Sequence, residues 1–248
     1  MTCFKEANSV EFGRHLLAAR DVQPGTNVLI QQPYAAVLYD DHTSLRCDYC
    51  FCASESLMRC TRSKVAHYCC QAHQKAAWRA YYRQECSALV ACAPRVPPAS
   101  VRLAARVLWR RANCGCYADV VQLQSHWQEL DAARKVMYAQ MAVLTRCQAE
   151  DESLPHVKHI AQLLARFACN NHTVCDEELR PVGVGLYPLG ALINHSCRPN
   201  CAQSFQGPAI VFRSLFRIPP GEQLTISYVE LAATRQERRR QLQQQYFF

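Results

Sequence analysis

No run of eighteen uncharged apolar residues occurs anywhere in the 248 residues, so no segment reads as a membrane-spanning helix. The N-terminus from Met1 to Val10 carries Lys5, Glu6 and Asn8 and lacks the apolar stretch of a secretory leader. The chain is therefore expected to be soluble, not secreted, and to reside in the cytoplasm and nucleus. Internal repeats and low-complexity tracts are absent, which argues against array architectures. Charged residues make up 19% against 50% apolar, the balance of a folded chain and not of long disorder. Nor do the basic residues form one block. The net charge of +8 is spread along the chain and suits an acidic partner surface or a weak nucleic-acid contact.

Cysteine, by contrast, is abundant, with 16 residues. In the reducing compartment expected for a chain without a leader, these are metal ligands or buried thiols before they are disulfides. Seven of them fall between Cys47 and Cys86. The length allows one core with an insert or two modest domains.

Strand-type sequence lies at both ends of the chain. His15 to Ala19 and Asn27 to Leu38 are rich in Val, Leu, Ile and Tyr, with a turn at Gln23-Pro24-Gly25. Cys201 to Phe205 and Ala209 to Leu215 read as a hairpin through Gln206-Gly207-Pro208, and Pro219 to Glu222 turns the chain into Gln223 to Tyr228. Between these ends, Gln71 to Glu85 has helix-forming composition and Pro94, Pro97 and Pro98 form a linker. Ser100 is placed to cap a helix through Trp109, and further helices are expected over Val120–Leu130, Asp131–Cys147 and Pro155–Asn170. A charged helix is expected from Glu230 to Gln245. One β domain interrupted by inserts fits this order better than two consecutive domains.

By spacing, the cysteine module reads Cys47-x2-Cys50, Cys60-x2-Ser63, Cys69-x3-His73 and Tyr82-x3-Cys86. Zinc takes four thiolate or imidazole ligands in a tetrahedron, and short loops place two of them on one metal. The competing reading makes these cysteines small buried hydrophobes of a helical core. The stretch Cys47 to Cys86, with Leu57-Met58-Arg59-Cys60, His67-Tyr68-Cys69 and Trp78, resembles a MYND zinc finger. Ligand pairs interleave in that family. This implies a first site of Cys47, Cys50, Cys69 and His73, where His73 replaces a cysteine without loss of competence. The second implied site is Cys60, Ser63, Tyr81 or Tyr82, and Cys86; serine and tyrosine stand there for the usual cysteine and histidine, and one residue is inserted near Tyr81-Tyr82. Cys60 and Cys86 alone make a poor zinc site, and the spacing of His67, Cys52 and Cys70 does not favour their recruitment.

Three further segments occur in order: Gly183-Val184-Gly185-Leu186-Tyr187-Pro188, then Asn194-His195-Ser196-Cys197-Arg198-Pro199-Asn200-Cys201, then Gly221-Glu222-Gln223-Leu224-Thr225-Ile226-Ser227-Tyr228. This ordered set resembles the signature of a SET domain. Together with the inserted finger the chain resembles the SMYD family of protein-lysine methyltransferases over nearly its whole length. The pattern is nearest to the third member of that family, through Pro94-Arg95-Val96-Pro97-Pro98, Val101-Arg102-Leu103 and Val182 to Pro188.

The resemblance implies an α+β fold, a SET-domain β fold of small sheets with a pseudoknot, split by a MYND finger and a helical insert. The implied boundaries are 1–46 for the first part of the SET domain, 47–86 for the finger, 87–170 for the linker and helical insert, and 171–248 for the second part. It implies S-adenosylmethionine and zinc as cofactors, histones or other lysine-bearing proteins as substrates, and a proline-rich peptide as a partner of the finger. Gly13, Arg14, His15, Asn194 and His195 match cofactor-binding positions, as does Asn170. Tyr228 matches the tyrosine whose hydroxyl orients amine and methyl; Tyr246 and Phe248 match the aromatic walls of the lysine channel. His15 stands where a second glycine is usual, adding bulk beside the cofactor loop. The sequence ends at Phe248, with Phe247 at a usual cysteine position, ahead of the family's Cys-x-Cys-x2-Cys segment. Cys197 is thereby expected to lack metal partners and the tail to be loosened, with weak turnover. The alternative expectation is a catalytically weak SET-fold module that recruits partners through its finger.

Overall fold

The computed structural model describes residues 2–111, 116–149 and 154–248. Residues 112–115 and 150–153 of the expected helical insert lie outside the described residues. The chain divides into two compact units, one of residues 1–33 with Tyr187–Phe248, the other of Tyr34–Leu186. Strand sequence expected as one stretch from Asn27 to Leu38 is in fact two strands, Asn27–Gln31 and Ala35–Leu38, in different sheets. Pro33 lies between them; it has no N–H to give a ladder, and the chain changes sheet around it.

In the first unit, Phe4–Ser9 and Gly13–Ala18 form an antiparallel hairpin. Its loop of Val10, Glu11 and Phe12 ends on Gly13 at φ +61°, the left-handed position that closes a three-residue loop at no cost to glycine. Cys201–Gln206, Ala209–Ser214 and Asn27–Gln31 make a three-stranded antiparallel sheet in that order, with the hairpin turn at Gly207-Pro208 as expected. Ile210, Val211 and Phe212 of its central strand are buried. Of the stretch Gln223 to Tyr228 only Thr225–Ile226 is strand, and it runs parallel to Asn194–His195. Leu224 N–H donates to the Leu16 carbonyl on its other side. The final helix, Arg235–Tyr246, begins with a capping box between Thr234 and Glu237.

The second unit holds the sheet Ala35–Leu38, Pro181–Leu186 and Asn171–Cys175, all antiparallel, and the small hairpin Met58–Arg59 with His67–Tyr68. Gly183, counted above within a glycine motif, is there for packing: a Cβ would overlap the Val37 carbonyl of the neighbouring strand. A single helical rod runs Gln71–Ala77, Trp78–Tyr82 and Arg83–Cys92, the middle segment being a π-helical turn.

The helix Ala99–Arg111 starts one residue before Ser100, so Ser100 does not cap it; the Pro98 carbonyl accepts from Val101 and Arg102 instead. The expected helix Val120–Leu130 is not formed beyond Tyr117–Val121. Ser125 Oγ takes the Trp127 N–H and His126 sits at φ +46°, so local side-chain bonding wins over helix there. Helices Ala132–Ala149 and Val157–Asn170 follow, capped by Asp131 and His156, whose side chains accept from Arg134 N–H and Lys158 N–H. No described helix is long and apolar enough to cross a membrane.

Candidate functional site

Within the second unit, Cys47, Cys50, Cys69 and His73 bring their ligand atoms within 4.8 Å of one another. Cys50 Sγ lies 3.8 Å from Cys69 Sγ, and His73 Nδ1 lies 3.7 Å from Cys47 Sγ and 3.0 Å from Cys69 Sγ. A Zn–S length of about 2.3 Å sets tetrahedral S···S edges of roughly 3.8 Å, so the donor set fits zinc. Phe51, at φ +63°, turns the chain back so that its N–H meets the Cys47 carbonyl, which closes the Cys47–Cys50 knuckle. Cys69 follows the second strand of the small hairpin, and His73 lies in the first turn of the helix that Cys70 caps. Burial raises the Cys50 and Cys69 thiols above the ordinary range. The described cysteines are all free thiols.

The second implied ligand set does not assemble as a metal site. Tyr82, and not Tyr81, faces it: its hydroxyl lies 2.5 Å from Ser63 Oγ and accepts from Ala66 N–H at 3.3 Å. Cys60 and Cys86 lie 4.0 Å apart, buried with Tyr68 and Leu89 in one small hydrophobic core. Among the described residues the only group of three or more clustered His, Cys, Asp or Glu ligands is the first set. His67 turns its Nδ1 to the Val65 carbonyl and Cys52 is exposed, so neither substitutes.

Tyr81 belongs to a different structure, which the sequence did not announce. Its hydroxyl reaches Asp48 O and Oδ2 at 2.9 and 3.0 Å, and Arg106 stacks on its ring at 4.1 Å. Arg106 is buried and donates to Glu85, to both Asp48 oxygens and to the Ala36 carbonyl at 2.6 to 3.1 Å. Asp48 sits inside the Cys47–Cys50 knuckle, so the ion cluster fixes the metal centre to the helices. Burial raises the Glu85 carboxyl, against the pull of Arg106.

The first unit gathers most of the other expected site residues. Asn194 Nδ2 donates to the Phe12 carbonyl at 3.1 Å, tying the parallel strand pair to the hairpin loop at Gly13. A Cβ on Gly13 would meet nothing within 4 Å, so there is open space against this loop for a ligand to approach. His15 is folded away, with Nδ1–H donated to the Gly13 carbonyl at 2.9 Å and its ring edge-on to Phe12. Its bulk is spent inside the loop. Arg14 lies 3.6 Å from Glu6 across the hairpin.

His195 Nδ1 accepts the Tyr228 N–H at 3.0 Å, which puts the ring proton on Nε2, directed at Cys197 Sγ. Burial, with Arg238 adding to it, holds His195 below its ordinary pKa. Tyr228 donates its hydroxyl to the Ile193 carbonyl at 2.7 Å, and its ring lies 4.7 Å from Tyr246 and 6.4 Å from Phe248. Tyr246 and Phe248 stack at 6.2 Å, and Phe248 remains 65% exposed. The carbonyls of Ile193 and Phe12, which organise the site, carry no side-chain signal that a sequence could reveal. Asn170 lies in the other unit, where its amide hydrogens go to the carbonyls of Gln124 and Arg166.

Residues 13–229 match the SET domain family. The chain belongs to the SET-domain family. Among its relatives are Histone-lysine N-methyltransferase SMYD3 of Mus musculus, 37% identical over 95% of this chain and 57% of its own length, and Histone-lysine N-methyltransferase ASHR1 of Arabidopsis thaliana, 35% identical over 99% of this chain and 53% of its own. N-lysine methyltransferase SMYD2 of Homo sapiens is 32% identical over 95% of this chain. This SET-domain chain is thus of the SMYD type, and it spans about half the length of the curated relatives it matches. A solved structure of Rubisco LSMT bound to sinefungin and monomethyllysine superposes with TM-score 0.51 at 14% identity, covering 100% of this chain and 52% of that one. That similarity supports the α+β SET fold.

Proposed function

We propose that the chain transfers methyl groups from S-adenosylmethionine to lysine side chains of histones or other proteins. The observation that carries this reading is the Tyr228 hydroxyl, pinned to the Ile193 carbonyl within a cluster of three aromatic rings. The names of its relatives, all lysine methyltransferases, point the same way.

Gly13, Arg14, His15, Asn194 and His195, all in the first unit, would hold the cofactor. When bound, the cofactor supplies an electrophilic methyl on its sulfonium. Tyr228 donates its own proton to Ile193, so toward an amine N–H its oxygen can act only as an acceptor. Accepting that hydrogen bond turns the amine lone pair to a fixed direction, which is the alignment such a transfer requires. The rings of Tyr228, Tyr246 and Phe248 exclude water from the lysine stem and stabilise developing positive charge at the amine.

In this reading the module of residues 47–86 is a MYND finger holding zinc on Cys47, Cys50, Cys69 and His73. A setting in cytoplasm and nucleus belongs to the same proposal, because thiolate ligands of a zinc finger persist in a reducing compartment. A proline-rich peptide at the finger and a weak nucleic-acid contact through the net charge of +8 are secondary proposals, supported by the resemblance and the charge. The test is a calorimetric titration of the full chain with S-adenosylmethionine. Saturable binding is expected, and its absence at millimolar cofactor would favour a non-catalytic, partner-recruiting module.

A further inference from the structure

The π-helical turn Trp78–Tyr82 interrupts an otherwise regular rod. Such turns accommodate an extra residue and often mark functional positions. Here the turn lines a cleft of about 620 Å³ with Trp78, Arg79 and Tyr81. Arg83 follows on the same rod, and the helix Ala99–Arg111 contributes Trp109 and Arg110. None of the lining side chains is acidic. Arg79 and Arg83 are exposed, four residues apart and so neighbours on the rod. Among the described residues neither guanidinium has an ion-pair or hydrogen-bond partner.

Two further lining side chains are held in place. Tyr81 is fixed by Asp48 through its hydroxyl and by Arg106 on its ring face, and Arg110 Nη1 donates to the Tyr34 carbonyl at 2.6 Å. A preformed surface loses little ordering entropy when it binds. Guanidinium forks match carboxylates in paired hydrogen bonds, and Trp, Tyr and Arg are the residues that concentrate binding energy at interfaces. The volume suits a short segment. Nucleic-acid affinity rests instead on a track of many phosphate contacts, for which two unpartnered arginines are too few.

We propose that this cleft binds a short acidic protein segment, its carboxylates on Arg79 and Arg83 and an apolar or aromatic side chain against Trp78 and Trp109. The proposal stands apart from the catalytic reading, since all its residues lie in the second unit.

The full chain is titrated, with tryptophan fluorescence as readout, against a short Glu- and Asp-rich peptide carrying one Phe. Its Gln and Asn counterpart, a neutral proline-rich peptide and a short oligothymidylate are titrated in parallel. The acidic peptide is expected to bind with Kd on the order of 10 μM at physiological salt. Affinity should fall at least about tenfold for the neutral counterpart and for the double variant Arg79→Ala, Arg83→Ala. Both arginines are exposed, so that variant should fold, and an unchanged circular dichroism melt confirms it. The proposal is overturned by binding within about twofold of wild type in the double variant, by equal affinity for the oligothymidylate or the proline-rich peptide, or by no acidic-peptide binding near ~1 mM.

Discussion

The Ser63 and Tyr82 hydroxyls lie 2.5 Å apart, and beside them Cys60 and Cys86 pack at 4.0 Å with no third clustered ligand among the described residues. A hydrogen-bonded core thus takes the place of a second metal site. The expected metal content is about one zinc per chain by elemental analysis. Tyr82→Phe should leave that zinc in place while costing roughly 1–3 kcal/mol in chemical denaturation, because Ser63 and the Ala66 N–H lose a buried partner. Loss of zinc in Tyr82→Phe would show that the second set does bind metal.

Arg106 compensates two buried carboxylates at once, Asp48 and Glu85. Arg106→Met leaves both without their hydrogen-bonded cation and should destabilise the second unit by about 3–5 kcal/mol. Arg106→Lys is expected to rescue only in part, since an ammonium cannot match the fork to Glu85, Asp48 and the Ala36 carbonyl together. Urea unfolding followed by tyrosine fluorescence measures both. A neutral effect for Arg106→Met would mean that the cluster contributes no net stability.

The helix that carries Tyr246 begins at the Thr234–Glu237 capping box. Hydrogen bonds from the Thr234 hydroxyl and N–H hold the Glu237 carboxyl below the ordinary glutamate range. A lowered carboxyl contributes stability that is complete above its ordinary value and is lost as pH falls through the lowered one. Amide protection over residues 235–246, the intrinsic exchange rate at each pH divided by the observed one, should therefore fall on acidification through that window. In Glu237→Gln the pH dependence should vanish, and Thr234→Ala should speed exchange at neutral pH by removing a cap of about 1 kcal/mol. Equal exchange in all three chains would remove the box from the helix's stability.

The sequence made local chemistry legible and left long-range bonding hidden. Short loops made Cys47-x2-Cys50 and Cys69-x3-His73 legible as ligand pairs, and only the resemblance to a MYND finger joined the two pairs into one set. Gly207-Pro208 marked the hairpin of Cys201–Gln206 with Ala209–Ser214 in the same way. The Val120–Leu130 stretch failed because its apolar residues suggested a helix that Ser125 and His126 break locally. The choice between Tyr81 and Tyr82 could not be made without the π turn, which sets which ring faces Ser63 and which faces Asp48. The link from Asp48 to Arg106 spans 58 positions with no motif to announce it. Gly183 looked like part of a ligand loop but answers to the close approach of the Val37 backbone.

Methyl transfer itself is the most direct measure of the central claim. Radiolabelled S-adenosylmethionine is incubated with histones or a lysine-rich protein and the full chain, in wild-type form and as Tyr228→Phe. The hydroxyl acts on the amine in the transition state, so Tyr228→Phe should keep cofactor affinity and fold but lose at least about tenfold in turnover, ~1.4 kcal/mol on the barrier. Label on lysine with wild type and its loss with Tyr228→Phe is the expected result. No label on any lysine from a wild-type chain that binds the cofactor, or equal label from both chains, would contradict it.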